Sequence, residues 1–567
     1  MNDKSIKIIQ SLTRQHLNTA EQLSRAKRQL ARDFNIGIVS NNWLLKIYRE
    51  CLAVNKIKAK PRLEYLLIKR RVRTLSGVAP VAVATKPYPC PGRCIYCPSN
   101  VLMPKSYLPS QPAAARALRF KYSPFRQVQG RLQAFYNNGH KSEKVELRIL
   151  GGTWSYYPKQ YQSWFVRELY RGLNEFSISN FHPASLQGLI SNQIPNLKSQ
   201  IKADGQKLVK LQRDNETAQH RCVGLSIETR PDWINLDEIK RLRKFAVTKI
   251  ELGVQHLNDK ILRMIKRDQT KNDVLRATKL LKDAGFKICY HIMPNLPGST
   301  AKLDLQIFKE LFDDPELRPD QLKIYPCVVL KNTQLYRWWK HGKYKTYNDK
   351  TLINLLGQMK KNVPPYVRIE RIYRDVPSCD IVEGCKHINI REMVQKQMNY
   401  ACKCIRCREV KDKLKAQNST LQACRVKTTS KNLKLFINQY NASDGSEYFM
   451  SFESPDQKTL YAFIRLRFPS DDGKNQLPIL HNTAIIRELH TYGPPAPLNS
   501  IRRMGGLNSK FTQHKGLGKR LLRQAEKIAK SAGYDKIAVI SGVGVREYYR
   551  KLKYKLETKW GYMIKNI

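Results

Sequence analysis

An α/β chain of several domains is what the sequence predicts: a partial β/α barrel, a cysteine-rich connector and a second α/β module, preceded by a small basic helical module. Three observations predict it. From Val81 to Pro326 short β-branched segments alternate with helical stretches, the pattern of parallel strands joined by crossover helices. Cysteines gather at ligand-like spacings between 90 and 97 and again between 379 and 424. Near residue 516 a glycine-rich turn separates strand candidates from a helix. With 567 residues the chain has room for two to four cores, and the shifts in character place them at 1–80, 81–365, 366–435 and 436–567.

Residues 1–80 hold 17 Lys and Arg against five Asp and Glu, a net +12. Leu12, Leu17, Leu23 and Leu30 lie in a polar, proline-free stretch suited to helix, Asn41–Arg49 is a second helical candidate, and Lys69–Arg73 is a basic run. The segment reads as a module that contacts phosphates. The whole chain carries 102 Lys and Arg against 46 Asp and Glu, a formal +56, which points to a polyanion and first to nucleic acid. No run of 18 apolar residues and no secretory h-region is present, so a soluble cytoplasmic protein without a membrane span is expected.

After the short strand at Val81 comes Cys90-Pro-Gly-Arg-Cys94-Ile-Tyr-Cys97. Three thiolates so spaced can hold three irons of a [4Fe–4S] cluster and leave the fourth iron open. An open iron can bind the amino and carboxylate groups of S-adenosylmethionine and cleave it to a 5′-deoxyadenosyl radical; a zinc site would need a fourth ligand that is not nearby. The loop is expected at the carboxyl end of the first barrel strand, where the radical is enclosed. Helical candidates follow at 113–119 and 125–137. The strand 145–150 then runs into Gly151-Gly152-Thr153, whose backbone can approach a ligand closely.

Further strand candidates lie at 176–180, 221–230, 248–255, 286–294 and 320–326, with helices such as 236–245 and 270–284 between them, giving seven strands from Val81. Polar residues at strand carboxyl ends form the site: Glu228 and Arg230, alternate residues on one face that can receive a ribose or carboxylate, with Gln255, His291 and Tyr325.

Between 375 and 425 the chain is charged and poor in apolar runs, and holds Cys379, Cys385, His387, Cys402, Cys404, Cys407 and Cys424. A connector of this kind gains stability from a closed zinc site. Cys402, Cys404 and Cys407 are the expected ligands, with Cys379, Cys385 or His387 as the fourth; free thiols or a second cluster are the alternatives. In the last third, strands at 460–468 and 484–493 lead to Gln513-His514-Lys515-Gly516-Leu517-Gly518-Lys519-Arg520, then a helix over 521–532, the strand 536–540 and Gly542–Tyr549. Unblocked amides at such a turn, completed by a helix amino terminus, make a pyrophosphate nest. The order is that of an acetyl-coenzyme A site of GNAT type, with Tyr548 and Tyr549 placed to protonate the leaving thiolate or polarise the thioester.

A radical site and an acetyl site in one chain fit a reaction in which the acetyl methyl loses hydrogen and adds to an electron-poor carbon such as C5 of uracil. From Lys86 to Met563 the chain resembles the Elongator catalytic-subunit family of tRNA-uridine-34 acetyltransferases. The resemblance rests on Lys-Pro-Tyr-Pro-Cys-Pro-Gly-Arg-Cys-Ile-Tyr-Cys-Pro at 86–98, Gly-Gly-Thr at 151–153 and Arg-Cys-Val-Gly-Leu-Ser-Ile-Glu-Thr-Arg-Pro-Asp at 221–232. It continues with Glu-Leu-Gly-Val-Gln at 251–255, Leu-Arg-Pro-Asp-Gln-Leu-Lys-Ile-Tyr-Pro at 317–326, Arg-Glu-Leu-His at 487–490, and the motifs at 513–520 and 541–552. It implies a radical S-adenosylmethionine barrel joined through a zinc-binding connector to a GNAT-type domain, the tRNA anticodon stem-loop as partner, and a 5-carboxymethyluridine product. It also implies that Cys90, Cys94 and Cys97 ligate the cluster, that 513–519 hold coenzyme A, and that Tyr548 and Tyr549 line the acetyl-transfer site. Where the family often has Pro-Gly-Gly, this chain has Pro98-Ser99-Asn100, and its short cysteine spacing suits a prokaryotic or stand-alone member. From the residues alone, a protein-lysine acetyltransferase with a structural barrel and a tRNA-binding scaffold with relict sites remain alternatives.

Overall fold

The computed structural model describes residues 2–69, 74, 76–177, 201–410, 433–470, 477–493 and 516–567, the side chains of 201–206 excepted. Four helices, α1 (Asp3–Arg14), α2 (Ala20–Asp33), α3 (Asn41–Ala53) and α4 (Pro61–Leu67), form the first module around their own core, which includes Ile9, Leu12, Leu30, Leu44 and Tyr48. Local chemistry sets their ends: Thr19 and Gln22 make a capping box, Ser40 caps α3 and Pro61 opens α4. The module rests on the helix Pro124–Asn137, where Arg49 donates to the Tyr136 carbonyl at 2.7 Å.

The barrel is a sheet of seven strands in sequence order: β1 (Ala79–Ala84), β2 (Lys144–Leu150), β3 (Arg221–Thr229), β4 (Lys249–Gln255), β5 (Lys287–Ile292), β6 (Gln321–Ile324) and, after the short β7 (Val329–Leu330), β8 (Arg368–Arg371). Every neighbouring pair is parallel. Seven strands were expected, but not these seven. β2 pairs directly with β3, so no strand from 176–180 stands between them; Phe176 and Ser177 are not in a strand and the rest lies outside the described residues. The seventh is Arg368–Arg371, a charged segment whose alternation is hidden because one face of it is occupied by buried ions. The barrel sheet therefore runs past residue 365.

The second sheet has the order β10-β11-β12-β13-β14-β16-β15, from Lys434–Ala442, Gly445–Glu453, Leu460–Phe468, Thr483–Thr491, Lys536–Val539, Met563–Asn566 and Lys555–Leu556. Among the described residues β9 (Ile381–Glu383) pairs only with β7. The β10–β11 hairpin was missed from sequence. Its two-residue turn, Ser443-Asp444 with φ of 49° and 59°, is of the hairpin kind that Asp-Gly signals. One face of this sheet packs on the helix Leu517–Ser531; the other, through Phe449, Phe463, Ile485 and Tyr492, joins the barrel's own core.

That second face meets the amino-terminal ends of the barrel strands. Arg487 grips Asp320, just before β6, at 3.0 and 2.5 Å and donates to the Phe286 carbonyl at 2.6 Å; Arg467 grips Asp283 at 2.5 Å. Both arginines also reach Glu447, and all five side chains are fully buried or nearly so. Beside them the loop 542–545 presses on β3. A Cβ on Gly542 would collide with the Val223 carbonyl, and one on Gly544 with Arg221, so glycine is needed there for close approach.

Burial alone would raise the Asp320 carboxyl, but Arg487, Arg465 and Lys282 outweigh it and hold it well below the usual value. Glu488 is likewise drawn down to about 2, against burial, by Lys287, Arg465 and His490. Groups with depressed native values stabilise the fold above their unfolded range, near pH 4, and lose that contribution as pH falls. The urea midpoint of the chain is thus expected to drop between pH 6 and pH 3. At neutral pH Arg487→Met should cost about 3–5 kcal/mol, since it strands a buried carboxylate, and the variant's midpoint should fall less steeply with acid.

Candidate functional site

All of the expected radical-site residues gather at the carboxyl ends of the barrel strands. A cavity of about 250 Å³ is lined there by Cys90, Cys94 and Cys97, by Gly152 and Thr153 after β2, and by Glu228, Arg230 and Gln255 at the ends of β3 and β4. His291 and Tyr325 line it too. Gly151 lies just beneath: its φ is +140° and a Cβ would collide with the Thr85 hydroxyl, so the double glycine is a backbone requirement.

The cysteine loop is fixed by its backbone. The Ile95 amide donates to Ile265 at 3.1 Å, and its carbonyl accepts from Leu335 at 2.8 Å. Cys90 Sγ lies 3.6 Å from Thr153 Oγ1, and Arg267 points Nη1 at Cys94 Sγ from 3.6 Å. Burial pushes the Cys97 thiol up to about 12, with Cys94 adding to the rise. Three thiols of one loop on one cavity, with a cation against one of them, are a donor set that fits an iron–sulfur cluster whose thiolates need charge compensation.

Arg230 differs from the expectation in detail. Its guanidinium is held by Asp232 at 2.8 and 2.9 Å and by the Asp268 carbonyl at 3.0 Å, while Nη1 lies against Gly92 without a hydrogen-bond partner. A Cβ at Gly92 would collide with that nitrogen, so Arg230 supports the cysteine loop from below while also lining the cavity. Glu228 accepts from Tyr107 at 2.8 Å. Gln255 sits at φ 68°, a strained left-handed position at a strand end of the kind concentrated at functional sites.

Below the cavity the barrel interior is ionic. Lys323 meets Glu251, which also receives His291 Nε2 at 3.0 Å and lies 3.3 Å from Lys249; Lys249 reaches Glu370 at 2.6 Å. Arg148 bridges Glu146 at 2.6 Å and Glu370 at 3.8 Å. Burial opposes ionisation of Glu251, yet Lys323 and Lys249 hold its carboxyl well below the ordinary range; burial also opposes Lys323, which Glu251 keeps firmly protonated. Apart from His291, these residues, with Arg267, carry no spacing signal in the sequence. A buried lysine inside Leu-Lys-Ile-Tyr-Pro and the paired charges in Lys249-Ile-Glu251 were the available hints.

In the connector Cys402, Cys404 and Cys407 bring their sulfurs within 4.8 Å of one another. Hydrogen bonds from Cys402 and then Cys404 hold the Cys407 thiol below its ordinary value, and Lys360 lies 3.7 Å from it. None of the three expected fourth ligands joins them. Cys379 is exposed, Cys385 lines the radical cavity, and His387 pairs with Asp349 at 2.7 Å. Cys424 lies outside the described residues.

In the last module Gln513, His514 and Lys515 also lie outside the described residues. Gly516 caps the helix Leu517–Ser531 with φ 79°, and a Cβ on Gly518 would stand 3.1 Å from the Tyr548 hydroxyl. Tyr548 therefore faces the turn beside Gly518 and Lys519. Tyr549 instead enters the apolar core, with its ring 5.7 Å from Tyr554. Among the described residues β13 and β14 pair over 483–486 and 536–539, after which β13 continues to Thr491 paired with β12. On the barrel-facing side of that free stretch, burial holds His490 neutral, drawing it down to about 4.

The radical SAM superfamily model matches residues 88–305 and the radical SAM C-terminal domain matches 319–400. The tRNA uridine(34) acetyltransferase of Methanocaldococcus jannaschii is 39% identical over 94% of this chain and 92% of its own length. Human Elongator complex protein 3 is 34% identical over 91% of this chain and 87% of its own. Among solved structures, Methanocaldococcus infernus Elp3 with residues 1–46 deleted superposes with a TM-score of 0.69 at 36% identity, covering 87% of this chain and 100% of that one. The chain carries a radical SAM domain and belongs to the family of the tRNA uridine(34) acetyltransferases and Elongator complex protein 3.

Proposed function

We propose that this enzyme carboxymethylates C5 of the wobble uridine of tRNA, taking the two added carbons from acetyl-coenzyme A. The observation that carries the reading is the three-thiol loop opening onto the same cavity as Glu228, Arg230 and Gln255, in a barrel packed against an acetyltransferase-like module. Cys90, Cys94 and Cys97 would hold the [4Fe–4S] cluster, and Gly151 to Thr153, Glu228, Arg230 and Gln255 the S-adenosylmethionine. Bound there, the pair would supply radical chemistry at the cavity, the kind needed to activate the acetyl methyl.

The chain's own residues do the rest. Gly516 to Lys519 offer amides at a helix amino terminus to the pyrophosphate of coenzyme A, together with Gln513 to Lys515. The side of β13 that β14 leaves uncovered beyond Ile486 offers backbone groups to its amides. Tyr548, beside Gly518, donates to the thioester oxygen or the leaving sulfur; Tyr549 supports it from the core. Cys402, Cys404 and Cys407 would bind the zinc. The basic first module, the connector and the +56 charge draw in the anticodon stem-loop, in the cytoplasm. Among the described residues no helix is long and apolar enough to cross a membrane.

Mass spectrometry of anticodon nucleosides after anaerobic incubation with tRNA, acetyl-coenzyme A and S-adenosylmethionine should show 5-carboxymethyluridine. Its absence, with acetylation of basic peptides independent of tRNA, would assign a lysine acetyltransferase instead. In the same assay Tyr548→Phe should slow acetyl-coenzyme A turnover about 10²-fold or more, the scale of losing one donor to a developing oxyanion, while Tyr549→Phe stays within a few-fold. Metal analysis should find one zinc per chain, lost in Cys404→Ser together with part of the thermal stability.

A further inference from the structure

At the cavity floor His291 is held at one ring nitrogen and open at the other. It stands on β5, between β4, which carries Glu251, and β6, which carries its register partner Lys323. Its Nε2 lies 3.0 Å from Glu251 Oε2. Burial opposes ionisation of Glu251, but Lys323 and Lys249 keep it a carboxylate; a carboxylate only accepts, so Nε2 carries the proton in that bond. Nδ1 is then the basic nitrogen. Among the described residues it has no hydrogen-bond partner, and it is not a sealed atom: the side chain is 12% exposed and lines the cavity. The Tyr325 ring packs against the imidazole at 70°, with centroids 5.4 Å apart. Other ionisable groups on the cavity are already engaged. Burial opposes the charge of Lys323, yet Glu251 keeps it protonated; Asp375 pairs with Arg371 at 2.5 Å, and Glu228 accepts from Tyr107 at 2.8 Å.

We propose that His291 is the general base that takes the C5 proton of the wobble uridine, with Glu251 as its positioning residue. The inference rests on the function proposed above. Addition of the acetyl carbon forms a C–C bond at C5 and leaves an unpaired electron at C6. Restoring the uracil ring then breaks the C5–H bond, and the proton goes to Nδ1. The pair from that bond and the C6 electron re-form the C5–C6 double bond with one electron in surplus. That electron passes to the iron–sulfur core at its 2+ level, the state in which cleavage of S-adenosylmethionine leaves it. Glu251 stabilises the imidazolium that forms and is not itself protonated, because the neighbouring lysines hold it ionised.

The test compares the parent with His291→Gln, both as the full chain with its cluster reconstituted anaerobically and supplied with tRNA, acetyl-coenzyme A, S-adenosylmethionine and dithionite. Glutamine keeps an amide to donate to Glu251 and has no basic nitrogen. In the variant 5-carboxymethyluridine should fall about 10²-fold or more, the scale of losing a general base, while 5′-deoxyadenosine forms within a few-fold of the parent. Deuterium at C5 of the uridine should slow the variant's product, because C–H cleavage has become limiting, and leave its 5′-deoxyadenosine unchanged. Equilibrium binding of S-adenosylmethionine and of tRNA should match the parent, which the loss of a merely structural histidine would not preserve. Product at the parent's rate overturns the proposal. So does an absent isotope effect in the variant, or an equal loss of product and 5′-deoxyadenosine, which would assign His291 to S-adenosylmethionine. A parent that makes 5′-deoxyadenosine but no 5-carboxymethyluridine overturns the proposed function and this base with it, a result distinct from any difference between parent and variant.

Discussion

The arrangement of this chain depends on Arg487 and its carboxylate partners. Asp320 lies just before a barrel strand and Asp283 ends a barrel helix, whereas Arg487, Arg467 and Glu447 belong to the second sheet. Charges so deeply buried are stable only when paired, which leaves few relative positions for the two sheets. Gly542 and Gly544 complete the fit by letting backbone meet backbone at β3. The acetyltransferase-like module therefore sits at the amino-terminal ends of the barrel strands, while the cysteine loop and its cavity sit at their carboxyl ends.

Between these ends lies a barrel interior that is charged where such interiors are usually filled by branched apolar side chains. Lys249, Glu370, Glu251 and Lys323 form one connected column, and at the start of β8 Arg368 separately donates to Glu409 at 2.7 Å and to Tyr492 at 2.9 Å. Strand β4 alone, with seven residues, spans about 20 Å of this interior. The same column fixes the charge state of Glu251 and Lys323 at the cavity floor.

Legibility in the sequence followed the physics of each signal. Glycines that need positive φ, cysteines at ligand spacing and helices with caps were readable, because each constraint acts within a few residues: Gly151, Cys90 to Cys97 and the helix after Thr270 are examples. The strand Arg368–Arg371 was not, because its alternation is of ions whose partners come from β2, β4 and distant loops. The same reason hid Arg267 and Lys323. Arg230 was found, but its grip on Asp232 and its place under Gly92 are tertiary facts. The β10–β11 hairpin, by contrast, carried an Asp-Gly turn signal that was overlooked. The Gly-Val-Gly at 542–544 was read with the acetyl site, whereas its glycines serve the contact with β3.

The account's central claim is that both sites act on one acetyl group. Acetyl-coenzyme A carrying a trideuterated methyl group tests it most directly, with tRNA, S-adenosylmethionine and a reductant supplied anaerobically. The account predicts singly deuterated 5′-deoxyadenosine and a wobble nucleoside that retains deuterium in its new methylene group. Unlabelled 5′-deoxyadenosine formed together with the modified nucleoside would contradict it.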